Sequence, residues 1–307
     1  ASYFVGVPAT LPLLSLIVDP ADLWDPDSGL YTNPYMRGDA WERPVDITYV
    51  DANRDAGFHI AAGLRIHGQW SRSFDKKSLR LYFRQDYSTS RLEYPLFDEN
   101  TKRPTDPEQG QSFKRLVLHN GGQDWPRPHT NWTQIRNQLA ANLAFQHGAY
   151  ATRSQPALLF LNGEPWGIYQ IRERLDEHFL ADQYGIEAAD YLETPELAGQ
   201  REIHMGDSKA WDHLMHFIEH NDLTEAQNYA YVQTQVDIAD FIDHWILQIY
   251  AGNIDWPHHN VEQFRPRVPG GRWHWIFWDS DHGFTANLYS RVDTNMITRL
   301  LDYDHPE

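Results

Sequence analysis

Asn253-Ile-Asp255-Trp-Pro-His-His-Asn260 and, one hairpin later, Trp278-Asp279-Ser-Asp281-His-Gly-Phe284 form the stretch on which the reading of this chain turns. The residues leading into it have helical periodicity. In Asp237–Tyr250 the apolar side chains Ile238, Phe241, Ile242, Trp245, Ile246 and Ile249 recur at that spacing, with Asp237 placed to cap the start and Gly252 to stop the end. A helix packed on one face is expected. Val261–Arg267 and Arg272–Trp278 are rich in β-branched and aromatic residues and flank Val268-Pro-Gly-Gly271, which predicts two strands joined by a turn.

Asp255 and Asn260 are separated by four residues, the spacing of the Asp and Asn in a protein-kinase catalytic loop. In that chemistry the Asp orients the attacking hydroxyl. An Asn downstream and a second Asp beyond a hairpin then hold a metal, because Mg²⁺ prefers hard oxygen ligands. Asn260 and Asp279 have those groups, and Asp281 is either a further metal ligand or a cap for the turn at Gly283. Asp-x-x-x-x-Asn alone occurs by chance in any acidic chain. The order helix, Asp/Asn loop, hairpin, acidic pair carries the reading.

The chain has 307 residues, 41% of them hydrophobic, with 12 Trp, 16 Tyr and 14 Phe, enough to bury one large core or two lobes. Its formal net charge of −17 argues against a nucleic-acid partner, which needs a basic face, and favours basic protein partners. Without Cys, disulfides and thiolate metal sites are excluded, which fits both a cytosolic protein and a secreted bacterial one. No apolar run reaches the roughly 18 residues of a membrane helix, so a soluble protein with no membrane insertion is expected. The chain starts at Ala1 without a signal-like segment and stops soon after a helical pattern at Thr294–Leu301, as if cut from something larger.

Outward from the decisive stretch, Leu11–Val18, Val45–Val50, His59–His67, Lys77–Phe83 and Arg115–His119 read as strands. Asp25-Pro-Asp27-Ser-Gly29 lacks the later ligands of a calcium loop and reads as a turn. Leu79, Leu81 and Phe83 alternate with Arg80 and Tyr82, which puts Lys77 on the buried face. There it is either a phosphate-binding ammonium beneath the Gly68–Lys76 loop or a strand-end Lys reaching solvent. Asp98–Ser112 reads as a surface loop and Asn131–His147 as a helix. Pro156–Leu161 and Trp166–Ile171 pair around Asn162-Gly163 and run through Arg172-Glu173-Arg174, where a kinase hinge would lie, into a helix at Leu175–Tyr184. Further helices are expected at Asp207–His220 and Thr224–Gln235. His213, His216 and His220 could share one face of the first, but no H-E-x-x-H accompanies them, so a solvated face is the simpler reading.

These pieces together resemble the CotH kinases, the spore-coat protein H group of atypical protein kinases. The resemblance rests on Gly63-Leu-Arg-Ile-His-Gly68 with Lys76-Lys77-Ser78, on Ile135-Arg136-Asn137, and on Leu161-Asn-Gly-Glu-Pro-Trp-Gly167-Ile-Tyr169. Glu173-Arg-Leu-Asp176-Glu-His-Phe179, Asn253-Ile-Asp255 with Asn260, and Trp278-Asp279-Ser-Asp281 complete it. It implies a reduced kinase-like fold, ATP with Mg²⁺ or Mn²⁺, and phosphorylation of Ser or Thr, in proteins often found on spore coats or outside the cell. By the same resemblance Asp255 is the catalytic Asp and Asn260 and Asp279 hold the metal, with Asp281 the further candidate ligand. Lys76 or Lys77 binds the phosphates, with Arg65, Ser71 and Glu173 also on the nucleotide side. One departure is plain: Asn131–His147 contains no Glu or Asp, so the Lys–Glu pair of ordinary kinases cannot arise from that helix.

The expectation is therefore an α+β, two-lobed, kinase-like protein with nucleotide between the lobes. It comprises a β-rich extension at 1–56, a β-rich N-lobe at 57–174 and a helical C-lobe at 175–307. Its substrate is expected to be a basic, Ser-rich protein, with a bacterial cell or spore surface as its location. The rival readings are a pseudokinase or surface binding module with the same fold, and a metal-dependent hydrolase built on Asp255, Asp279 and Asp281. Oligomeric state is not legible.

Overall fold

The computed structural model describes residues 10–97, 111–126, 131–194, 201–253, 255–257, 259–285, 295 and 298. The chain divides into two compact units. Unit 1 comprises residues 1–101, 110–134 and 153–174, and unit 2 residues 102–109, 135–152 and 175–307. Elements are numbered along the chain.

Unit 1 contains β1 (Leu13–Ile17), α1 (Pro20–Trp24), β2 (Arg43–Val50), β3 (Gly57–His67), β4 (Ser78–Tyr82), β5 (Leu92–Glu93), β6 (Ser112–Phe113), β7 (Arg115–His119), β9 (Ser154–Leu161) and β10 (Glu164–Glu173). Seven of these strands close a barrel in the order β1-β2-β3-β4-β7-β10-β9. The closing pair is parallel, Leu13 facing Leu158. Alternate residues fill the interior, among them Leu14, Leu16, Ile47, Leu64, Leu79, Leu81, Leu118, Leu159 and Ile171. Arg65, Arg80 and Arg172 take the opposite parity, in one row across β3, β4, β7 and β10. At the β9–β10 turn Asn162 and Gly163 both have positive φ, 52° and 87°, as an Asn-Gly hairpin turn requires. The turn expected at Asp25 is present, with Asp25 Oδ1 accepting from the Asp27 and Ser28 amides at 2.9 Å.

The stretch expected as an extension packed on the kinase-like unit supplies two strands of the barrel. β1 and β2 are barrel strands, β2 pairing along its whole length with β3. The pair that closes the barrel joins β1 to β9, far apart in sequence, and local periodicity carries no sign of it.

Unit 2 contains α2 (Arg136–Gln146), β8 (Tyr150–Ala151), α3 (Glu177–Tyr184), β11 (Ala189–Thr194), β12 (Glu202–Met205), α4 (Lys209–His220), α5 (Ala226–Gln235), α6 (Ile238–Ala251), β13 (Val261–Pro266) and β14 (His274–Phe277). It is not simply helical. A five-stranded sheet in the order β12-β11-β13-β14-β8 runs through it. One face packs Tyr191, Phe264 and Ile276 against Leu175, Phe179 and Leu180, and the other packs Leu192, Trp273 and Trp275 against Leu214 and Val232. α2, placed by sequence with the N-lobe, belongs to unit 2, where Ala140, Ala144 and Phe145 meet Leu247, Ala251 and Phe277. The patterns expected at Thr294–Leu301 and over most of Asp98–Ser112 lie outside the described residues.

Candidate active site

α6 delivers the chain to the site. Its N-cap is Asp237, whose side chain accepts from the Asp240 amide at 3.2 Å, and its C-cap is Gly252 at φ 61°. At that end the Gly252 amide bonds the Ile249 carbonyl and the Asn253 amide bonds that of Gln248. The buried face differs from the expected one: His244, Leu247, Gln248 and Ala251 are inside, while Ile242, Ile246 and Ile249 are about half exposed. Polar residues occupy that face because they hold the loop that follows.

Asn253, buried at the helix end, is the hub. Its Nδ2 donates to Gln248 Oε1 at 3.0 Å and to the Asp279 carbonyl at 3.3 Å, while its Oδ1 accepts the Asp255 amide at 3.3 Å. One side chain thus ties α6, the Asp255 loop and the post-hairpin loop together. Trp256, 2% exposed, anchors the loop by packing edge-on against Trp245 at 4.4 Å. A cis Trp256–Pro257 bond follows, and the His259 amide bonds the Asp255 carbonyl at 3.0 Å.

The loop after β14 is gripped from two helices of the same unit. From α2, Asn137 Oδ1 accepts the Ser280 amide and Arg136 Nη1 lies 3.4 Å from the Asp281 carbonyl. From α6, the Ala251 carbonyl accepts the Phe284 amide at 2.7 Å. Gly283 packs so closely there that a Cβ would stand 3.0 Å from the Ala251 and Ser280 carbonyl oxygens. Asn260, Asp279 and Phe284 all take positive φ, at 60°, 52° and 47°. Non-glycine residues held in that region concentrate at functional sites.

This framework brings Asp255, Asp281 and His282 together. Their ligand atoms lie within 4.8 Å of one another, and His282 Nε2 is 3.5 Å from Asp255 Oδ2. Asp279 and Asn260, expected as ligands, belong to the same pair of loops, but Asp279 is not in that group of three. Two carboxylates and an imidazole suit a divalent cation: the oxygens fit Mg²⁺ or Mn²⁺, and the nitrogen favours the transition ion. His282, Asn253, Gln248 and Asn137 were given no role from sequence. Asn253 and Asn137 lie inside motifs that carried the resemblance, whereas His282 had only its adjacency to Asp281.

The expected nucleotide-side residues all lie in unit 1, and the structure separates them. Lys77 is buried on the inner face, its Nζ donating to the Arg72 and Phe74 carbonyls at 3.0 and 2.9 Å. Burial lowers its pKa. Lys76 donates to the Ile168 carbonyl, stands 4.6 Å over the Tyr169 ring, and is pushed down to about 8 by burial. Ser71 sits in the Trp70–Ser73 turn, which Arg72 staples from inside by donating to the Ile66, Pro34 and Gly68 carbonyls. Arg65 is ion-paired to Glu42 and Asp39. Both oxygens of buried Glu173 are taken by Arg153, Oε1 by Nε at 2.9 Å and Oε2 by the backbone amide at 2.7 Å. The charges of Arg65 and Glu173 are each engaged in ion pairs of unit 1. Of the His cluster on α4, His216 and His220 are exposed, with His220 Nδ1 at 2.8 Å from the His216 carbonyl.

The fold is α+β, with Asp255 and Asp281 on two loops flanking a hairpin. The family model described as CotH kinase protein matches residues 64–299, and the chain belongs to that family. No curated protein matches it. Among the described residues no helix is long and apolar enough to cross a membrane.

Proposed function

We propose that the chain is a metal-dependent protein kinase that transfers the γ-phosphate of ATP to Ser or Thr of a basic, Ser-rich protein, at a bacterial cell or spore surface. The observation that supports this most is the convergence of Asp255, Asp281 and His282 on loops fastened to α6 and α2. In this reading Asp255 orients the acceptor hydroxyl and takes its proton as the new O–P bond forms and the bond to the ADP oxygen breaks. His282, 3.5 Å away, positions the Asp255 carboxylate. Asp281, Asp279 and Asn260 hold Mg²⁺ or Mn²⁺, which neutralises phosphate charge when bound. Lys76 is the phosphate-binding ammonium, with Ser71 nearby in the same loop, because the Lys77 ammonium is engaged by two carbonyls.

The test begins with heat. At ~100 times its dissociation constant, ATP with Mg²⁺ or Mn²⁺ stabilises the native state by about 2.7 kcal/mol, read as a rise in melting temperature. Labelled γ-phosphate then appears on a Lys/Arg-rich Ser peptide. A shift without transfer identifies a pseudokinase or binding module, and no shift with any divalent ion removes the kinase reading. The triad itself favours one second reading, a metal-dependent hydrolase in which Asp255 is a ligand; that enzyme needs metal and no nucleotide.

A further inference from the structure

Unit 2 holds a second convergence of ligating side chains, on a different part of its sheet. Glu193, His204 and Glu262 come from the neighbouring strands β11, β12 and β13. Glu193 stands directly opposite Glu202 on one side and Glu262 on the other, so the three carboxylates share a face. β12 carries an extra residue at this point. Tyr191 pairs with Met205 and the adjacent Leu192 with Ile203, which makes His204 the residue of a β-bulge. A bulge re-aims the side chain it inserts. Here the imidazole is turned into the carboxylates, and the Tyr191 ring packs against it at 4.8 Å.

His204 Nε2 lies 3.0 Å from Glu193 Oε2 and 3.6 Å from Glu262 Oε2, and the side chains of His204 and Glu262 are 7% and 2% exposed. Nε2 is hydrogen-bonded to Glu193, and the ligand atoms of all three side chains lie within 4.8 Å of one another. Four-coordinate Zn²⁺ holds N and O ligands at ~2.0–2.2 Å, which sets neighbouring ligand atoms about 3.3 Å apart. The two observed separations bracket that value. Charge points the same way: one imidazole faces the carboxylates of Glu193 and Glu262 and, at 4.0 Å from Nδ1, that of Glu202.

We propose that Glu193, His204 and Glu262 form a structural site for a divalent transition ion of the Zn²⁺ class, clipping β12 to β13 across β11. β13 starts at Val261, immediately after Asn260, so the clip fixes the strand by which the chain leaves the Asp255 loop. The inference is independent of the phosphotransfer reading, since it requires neither nucleotide nor transfer.

The experiment uses the full chain with Asp255→Asn, Asp281→Asn and His220→Ala, which disable the loop triad and the exposed cluster on α4. After stripping with chelator and re-addition of Zn²⁺, this chain retains one ion per molecule by elemental analysis. X-ray absorption gives it an N/O shell containing one imidazole. Hydrogen exchange at Glu202–Met205 and Val261–Phe264 slows at least tenfold on Zn²⁺ addition. Adding Glu193→Gln or Glu262→Gln lowers Zn²⁺ affinity at least tenfold, and Glu202→Gln does not. Absence of a retained ion, an ion without imidazole, or exchange in both strands unmoved by Zn²⁺ overturns the proposal, and the exchange measurement decides it even if the Gln variants do not fold.

Discussion

Asp255 and Asp281 end in the same group and approach the same imidazole, yet phosphotransfer asks different things of them. Under the proposed function Asp281→Asn removes a charged ligand, so metal-dependent ATP affinity and transfer are expected to fall together. Asp255→Asn removes the proton acceptor and spares the metal, so transfer falls roughly 10²–10⁴-fold while ATP affinity holds. ATP titration beside initial rates separates them; equal loss of nucleotide binding in both variants makes Asp255 a ligand and favours the hydrolase. Lys76 gives a second handle. Burial holds its ammonium at about 8 against an ordinary 10.5, so between those values the unfolded chain binds the extra proton and stability rises with pH. A phosphate beside Lys76 favours the charged form. ATP affinity is therefore flat below about pH 8 and weakens as pH rises through it, and Lys76→Arg, which keeps its charge, flattens that profile. An unchanged slope in Lys76→Arg removes Lys76 from the phosphate site.

At the scale of elements the site is a matter of how α2 and α6 hold two loops. Ser280 is 1% exposed and its amide donates to Asn137 Oδ1. Asn137→Ala leaves that donor buried without its acceptor, which costs ~1–3 kcal/mol in urea unfolding and loosens the loop carrying Asp281 and His282, lowering the transfer rate. A stable Asn137→Ala chain with full transfer places loop control elsewhere. The helix was legible from its 3.6-residue period, though not the face it buries, the hairpin from its β-branched and aromatic runs around Pro-Gly-Gly, and the Asp–Asn spacing survives as a pattern in one loop. β11 and β12 were not legible: Glu193, Glu202 and His204 gather as a polar cluster on one face of the sheet, while Asp190, of opposite parity, is bonded to Arg267. His282 was hidden for a related reason. Its meaning depends on Asp255, which a loop and a hairpin separate from it by 27 positions and which only the folded loops bring within 3.5 Å.

For the whole molecule the governing quantity is charge. The 26 Lys and Arg against 43 Asp and Glu give a formal net charge of −17, a long-range field that raises the local concentration of cationic chains. Such a field acts on encounter more than on the bound complex. At low ionic strength a Ser peptide flanked by Lys or Arg is then turned over with a higher kcat/KM than the same peptide flanked by Asp or Glu, mainly through KM. Screening sets the second half of the prediction. The Debye length shrinks from ~30 Å at 0.01 M salt to ~8 Å at 0.15 M, so the advantage contracts steeply over that interval. A preference that outlasts high salt comes instead from short-range contacts at the acceptor site. Equal turnover of basic and acidic peptides at 0.01 M removes the electrostatic choice of substrate and leaves the phosphotransfer reading to stand on Asp255, Asp281 and Lys76 alone.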